Sequence, residues 1–329
     1  MKYKSVVATK RGGPEVLQVL ENDLRPPAAN EARIKVLAAG VGRTDINYRY
    51  GLSPFAPKVP FVPGYEMMGI VDAIGDRVTK VAVGDRVAAL IGHGGYSEMI
   101  YLGQEHLAPV PPSLDPAEVV TIILNYVSAY QMLHRVAKVK AGDKVLVNGA
   151  SGGMGTALLE LGKIAGLKMY GTASQNKHDI LKEFGATPID YRNQDFVEVI
   201  RQAEPNGLDF VFEGIGGEQD DRALSILRSG GKLVSYAAPA RLFSMVKDLF
   251  KRMKVNYLSK GKTSEFYGIT ALYLWDKKPF MEDLPKLFKL LEEGKIKPVI
   301  AARFPLLEAR KANEMLERGQ VTGNLVLLF

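Results

Sequence analysis

The residues best placed to do chemistry lie in one stretch, Leu146-Val-Asn-Gly-Ala-Ser-Gly-Gly-Met-Gly155. An apolar run ends at Asn148, a turn of small residues follows, and a helical pattern begins at about Met154. Ala150, Gly152 and Gly155 fill the first, third and sixth positions of a glycine fingerprint that cradles a dinucleotide. Ala stands for the first Gly, and Gly153 and Met154 complete the turn. The turn must be tight, the backbone must approach a pyrophosphate, and the helix must pack close to the strand. The helix N-terminus then offers N–H donors and the positive end of its dipole to the phosphates.

The next strand selects the nicotinamide cofactor. A site for NAD places Asp or Glu about 20 residues on, against the ribose 2′-hydroxyl. Here the segment reads Tyr170-Gly-Thr-Ala-Ser-Gln-Asn-Lys177, with no acid before Asp179. Ser174 and Lys177 can hold a 2′-phosphate by hydrogen bond and charge, which points to NADPH. The other reading of Lys177 is a solvated residue in the first turn of a helix.

These residues need a parallel sheet, and the patterning supplies one. After Pro116 a helical stretch runs from about Asp115 to Val136. Strand and helix patterns then alternate through Tyr236, as βαβ units require. The first ~120 residues read instead as short strands between turns, rich in Pro. The tetrapeptide Gly-Asp-Arg-Val at 75–78 and 84–87 reads as two turns flanking strands. Two amphipathic helices, Met281–Glu293 and Leu306–Arg318, precede a last strand, Asn324–Phe329, that returns to the first domain. The expected fold class is α/β: a β domain of residues 1–124 and 266–329, and a doubly wound parallel-sheet domain of residues 125–265.

Composition narrows the function. Of 329 residues, 47% are apolar and 24% charged, the balance of a globular protein. Cys is absent, which excludes disulfides, cysteine nucleophiles and thiolate metal sites and fits a reducing cytoplasm. MKYKSVVATK has no signal-peptide core, and Val119–Leu133 is too short and too polar to span a bilayer. The net charge of +7 is local: residues 241–262 hold seven basic residues and one acid, +6 in all. A nucleic-acid partner is therefore not expected.

The sequence resembles the medium-chain dehydrogenase/reductase superfamily, and within it the zinc-free quinone oxidoreductase (zeta-crystallin-like) group. The likeness runs through AAGVGRTDINYRYG (38–51), VPGYEMMGIVDAIGDRV (62–78), VAVGDRVAAL (81–90), GGYSEMIYL (94–102), VSAYQML (127–133), KAGDKVLVNGASGGMG (140–155), GTASQNK (171–177), DYR (190–192), GKLVSYA (231–237) and TGNLVLL (322–328). It implies a GroES-like β domain plus a Rossmann domain, with cofactor in the cleft between them, and a homodimer. It also implies that Ser128, Tyr191, Gly214, Ile215, Gly216 and Tyr236 join Ser174 and Lys177 around NADPH. Zinc-dependent members carry Cys where this chain has Gly42 and His where it has Tyr65, so the resemblance implies no metal. Many quinone reductases have Asn at Gly42, Tyr at Asn47, and Gly-Lys where this chain has Gly323-Asn324.

Without zinc, the expected reaction is reduction of an electrophile already activated by conjugation, a quinone or an enone. Tyr48 and Tyr65 are candidate donors to the developing oxyanion, with Gly42, Arg43 and Thr44 lining the substrate pocket. Packing is the plainer role for each tyrosine. An alkenal- or enoyl-type double-bond reductase is the enzymatic alternative. The non-enzymatic one is an NADPH-binding protein that engages a membrane or partner through 241–262. There Leu242, Met245, Val246, Leu249, Phe250 and Met253 make an apolar stripe with basic residues opposite. The plainer reading of that segment is a packed helix with a solvated basic face.

Overall fold

The chain starts with β1 (Lys2–Ala8), β2 (Leu17–Asp23), β3 (Glu31–Val41), α1 (Arg43–Tyr50), β4 (Glu66–Ile74), β5 (Arg86–Leu90), β6 (Met99–Gly103), β7 (Ala108–Pro109) and α2 (Pro116–Thr121). Alternation follows: α3 (Val127–Gln131), β8 (Lys144–Asn148), α4 (Gly153–Ile164), β9 (Lys168–Ala173), α5 (His178–Glu183), β10 (Thr187–Asp190), α6 (Phe196–Ala203), β11 (Leu208–Glu213), α7 (Gln219–Ser225) and β12 (Leu227–Ser235). The remainder is α8 (Leu242–Leu258), β13 (Thr263–Phe266), α9 (Ile269–Trp275), α10 (Lys278–Glu292), β14 (Ile300–Pro305), α11 (Ala309–Glu317) and β15 (Asn324–Leu328). This computed structural model describes residues 1–236, 242–259 and 261–329, without the side chains of 242–245 and 247.

Two compact units result. One comprises Met1–Val127 with Lys277–Phe329, the other Ser128–Asp276. In the second, six parallel strands lie in the order β10-β9-β8-β11-β12-β13. By sequence rank that order is 3-2-1-4-5-6, the doubly wound arrangement, and it reverses between β8 and β11. Val145, Leu146, Val147, Val211, Phe212, Leu233 and Val234 are buried, as a sheet covered on both faces requires.

The second boundary is a correction, since residues 266–276 lie with the parallel sheet and not with the β domain. Thr263–Phe266 adds to that sheet beside Lys232–Ser235. Tyr267 Oη then donates to Gln131 Oε1 at 2.9 Å. A four-residue, half-polar strand carries no periodicity from which to see this. The helical stretch after Asp115 also differs: it runs Pro116 to Ala137 and loosens into π-helical turns at Ile122–Tyr126 and Met132–Ala137.

In the first unit β3 is central, pairing with β4, β6 and β15. The chain's last strand thus returns to this unit, with β14 parallel beside it. The two Gly-Asp-Arg-Val copies flank one turn region for different reasons. A Cβ on Gly75 would collide with the Ala28 carbonyl, whereas Gly84 is open but holds φ +95°. Helix α1 starts at Gly42 and stops at Gly51, which takes φ 71°. Its Arg49 is fully buried; it donates to the Gly12 carbonyl at 2.7 Å and forms an ion pair with Glu317 of α11. We predict that Arg49→Met costs about 2 kcal/mol, less than the roughly 3–5 kcal/mol of a fully buried pair because Glu317 keeps access to water. A thermal melt should fall by about 4–8 °C.

Candidate functional site

The glycine turn sits where the strand order reverses. Gly152 begins α4 with φ −80° and ψ 174°, and neither a side-chain cap nor an acid occupies the first turn. The helix therefore presents its positive end uncompensated. The three small residues have separable duties. A Cβ on Gly155 would collide with the Gly149 carbonyl and the Ala150 backbone, so Gly155 lets helix and strand touch. A Cβ on Gly152 would meet nothing closer than 3.9 Å, so that face is open to a ligand. Ala150 is buried, and its Cβ would lie 2.8 Å from one built on Gly171 of β9. Gly153 and Met154 are half-buried in the first turn.

Beside the end of β9 lies an open recess of about 430 Å³, lined by Ser174, Gln175, Asn176, Asp190, Arg192 and Asn193. Ser174 is buried and donates to Asn176 Oδ1 at 2.7 Å. Lys177 begins α5. Burial holds its ammonium below the usual lysine range; Tyr191 offsets this and the Arg192 charge adds to it. Two cations close enough to feel each other's charge favour an added anion. Asp190 also lines the recess, but it accepts from the Arg192 N–H at 3.2 Å and from Asn193 Nδ2 at 2.6 Å. Tyr191 is 56% exposed, so its ring is accessible to a ligand. Sequence reasoning missed Arg192. Its only signal was position, directly after Tyr191.

One buried carboxylate gathers the remaining loops. Glu213, at the end of β11, accepts from Asn148 Nδ2 at 2.6 Å and from the N–H groups of Ile215 and Gly216 at 2.6 and 3.2 Å. Asn148 Oδ1 accepts from Thr172, whose hydroxyl oxygen accepts the Gly149 N–H at 2.9 Å. The ends of β8, β9 and β11 are tied by this chain of bonds. Ile215, 60% exposed, lies over Gly149, 3.3 Å from where a Cβ would stand. Tyr236 packs on Gly214 so closely that a Cβ there would strike its hydroxyl; burial raises that phenol's pKa, and Glu213 adds to the rise. Ser128 is 1% exposed, and its Oγ has no partner among the described residues. A buried hydroxyl without a partner fits a ligand group that completes it. Asn148, Thr172 and Glu213 were not foreseen; a polar residue closing an apolar strand was their signal.

The other predicted residues gather in the first unit. Gly42 caps α1, Arg43 is exposed and Thr44 half-buried in its first turn. Tyr48 and Tyr65 are buried at 5% and 3% exposure, ring centroids 6.0 Å apart and tilted 57°. Burial raises the Tyr48 pKa and Asp45 adds to it, while a hydrogen bond from Tyr65 opposes the rise. The Asp45 carboxylate accepts from the Gly42 N–H at 2.9 Å and the Gly64 N–H at 2.8 Å. The Gly42-Arg43-Thr44 turn is thereby brought next to Tyr65.

The basic segment needs correcting. Among its described residues the apolar stripe faces out and polar groups face in. Val246, Leu249, Phe250 and Met253 are 46–65% exposed. Arg252 is buried and pairs with Asp220 at 3.1 Å and Asp248 at 2.9 Å; Lys251 pairs with Asp221 at 2.9 Å. Lys262 donates to the Leu224 carbonyl at 2.8 Å. Two of the basic residues counted along the sequence, Lys251 and Arg252, are thus matched by acids from α7. Arg241 and Lys260 lie outside the described residues, as do the side chains of Leu242, Met245 and Lys247. No helix of the described residues is long and apolar enough to cross a membrane.

Residues 28–112 match the alcohol dehydrogenase GroES-like domain family, and residues 184–327 match the zinc-binding dehydrogenase family. The chain belongs to the medium-chain dehydrogenase/reductase superfamily. It is 30% identical to human quinone oxidoreductase over 324 residues, covering 97% of this chain and 95% of that one. It is also 30% identical to the human synaptic vesicle membrane protein VAT-1 homolog-like over 340 residues, 99% of this chain and 81% of the relative. The structure of Escherichia coli quinone oxidoreductase complexed with NADPH superposes with a TM-score of 0.88 at 26% identity, over 99% of this chain and all of the other. Within the superfamily, then, the chain falls in the zinc-free quinone oxidoreductase group.

The two glycines make a paired prediction. Gly155→Ala should destabilise the protein by about 1–3 kcal/mol, because backbone must move to admit the methyl. Gly152→Ala, in open space, should cost about 0.5 kcal/mol. Urea unfolding of the two variants checks the contrast.

Proposed function

We propose that this protein is an NADPH-dependent oxidoreductase that reduces a quinone or related conjugated carbonyl, without a metal. The observation that carries the reading is the recess beside β9. Arg192 and buried Ser174 line it, Lys177 lies close enough to feel the Arg192 charge, and no acid closes β9. Those side chains suit a 2′-phosphate, and no acid stands at the end of β9 where a site for a bare 2′-hydroxyl places one. The likeness to a quinone oxidoreductase complexed with NADPH supports the same cofactor.

The other cofactor contacts follow from the geometry. The open face of Gly152 and the N-terminus of α4 would hold the pyrophosphate. Ile215, Gly214 and Tyr236 would line the ribose and nicotinamide, and Ser128 would supply its free hydroxyl. When bound, NADPH supplies a hydride to an electrophile. Metal is not required, because Gly42 and Tyr65 stand where zinc-dependent relatives carry ligands, and Gly42 has no side chain to coordinate with. A conjugated carbonyl needs only orientation, exclusion of water and a donor to the oxygen on which charge develops. Tyr48 and Tyr65 suit the part of donor, since the two phenols are hydrogen-bonded to each other beside the Gly42-Arg43-Thr44 turn. A phenol is protonated at neutral pH, and burial raises the Tyr48 pKa further.

Calorimetry with NADPH and NADH tests the cofactor. NADPH should bind more tightly. Lys177→Ala and Arg192→Ala should each weaken NADPH by about tenfold, leave NADH nearly unchanged, and reduce the salt dependence of binding. Equal affinities for the two cofactors would sink the assignment. Steady-state turnover with phenanthrenequinone and with hexenal then separates quinone from alkenal reduction. Tyr48→Phe should lower kcat by about tenfold or more if the phenol donates, and leave it unchanged if the ring only packs.

A further inference from the structure

Asp45 belongs to neither set of residues above, yet it sits between the elements that carry the candidate electrophile site. It is 3% exposed and lies in the first turn of α1. One oxygen accepts from the Gly42 N–H, the other from the Gly64 N–H, and the Tyr96 hydroxyl approaches the first at 3.4 Å. Gly42 is the start of α1 and Gly64 the residue before Tyr65. Both attachments are to backbone, so they fix the paths of two loops and not the rotamers of two side chains. Gly64 has no freedom to compensate: it holds φ +97°, and a Cβ would lie 2.6–2.7 Å from Gly95 and Tyr96. One turn along α1, Tyr48 meets Tyr65. A shift of either loop therefore changes the separation of the two phenols.

We propose that Asp45 is a positioning residue for electrophile reduction: its carboxylate clips the Gly42-Arg43-Thr44 turn to the Gly64–Tyr65 turn and so sets the Tyr48–Tyr65 pair. This rests on the reductase reading given above. The clip needs both oxygens as acceptors, and a protonated carboxyl gives up part of that capacity. The groups facing Asp45 are Tyr48 and Arg49 on α1, Tyr96 on the loop after Gly95, and Glu66 on β4. Burial raises the Asp45 pKa to about 6 against the opposing pull of Gly42, Gly64, Tyr96 and Arg49. Glu66 is pushed up by burial and by Asp45. The clip is therefore complete above pH about 6 and weakens as the pH falls through it.

Asp45→Asn tests the clip, because the amide retains the size but turns one acceptor into a donor that faces an N–H. With saturating NADPH, the KM for phenanthrenequinone should rise about tenfold. The dissociation constant for NADPH should change less than twofold, and the acid limb of kcat/KM near pH 6 should vanish. A variant that keeps the wild-type KM and acid limb overturns the clip. So does one in which affinity for NADPH and thermal stability fall together with activity, since that marks a merely structural role. Should Asp45→Asn not fold, the wild-type protein answers by NMR. The amide resonances of Gly42 and Gly64 should move together with a midpoint near pH 6, and separate midpoints or none overturn the clip. Absence of wild-type turnover with any quinone or alkenal overturns the reductase reading itself. A working enzyme indifferent to Asp45→Asn overturns the clip alone.

Discussion

The Glu213 carboxylate is the interaction on which the parallel-sheet unit turns. It sits fully buried at the end of β11, next to the point where the strand order reverses. Burying a carboxylate is costly unless its oxygens are occupied, and here three N–H donors occupy them. The donors come from Asn148, Ile215 and Gly216, so two loops must adopt one conformation to satisfy one charge. Through Asn148 and Thr172 the constraint reaches the end of β9. Ligand groups meeting this face encounter loops already held in place, which lowers the ordering cost of binding.

The antiparallel unit places its carboxylates by a different logic. Asp45 is occupied on both oxygens by backbone N–H groups of separate loops. Glu66 fills the space left by Gly40, where a Cβ would collide with its carboxyl, and its Oε2 has no partner among the described residues. A carboxyl so placed avoids the desolvation cost by holding its proton. Two acids close in sequence thus sit differently, one held as an acceptor by two N–H groups and the other pushed toward its neutral form. Environment decides the difference, not residue type.

What could be read from the sequence divides along the same line. The glycine turn was legible because backbone sterics leave few residue types for each position. The returning tail was legible because β15 ends an apolar pattern that nothing else nearby could cover. Ser174 and Lys177 were legible because an expected acid was missing. Arg192 was not, since an exposed arginine in a loop looks like any solvated charge. The strand Thr263–Phe266 was too short to show a period. The orientation of α8 is the reverse of what its stripe suggests. Spacing reveals that a stripe exists, but its facing depends on Arg252 meeting Asp220, and no local pattern links residues 32 apart.

The position of β15 bears on how the protein is made. That strand is inserted between β14 and β3, so the seven-stranded sheet stays split until residues 324–328 have left the ribosome. Residues 128–276 have every strand of their own sheet long before then. During synthesis the later-encoded parallel sheet is thus complete first, while the Ala38–Val41 end of β3, nearly 300 residues upstream, waits with one edge unpaired. Such a long closure slows folding and leaves that edge available to other chains in the interval. A translation arrest just short of Asn324 would leave a nascent chain with one finished half and one sticky one, a natural client for a chaperone.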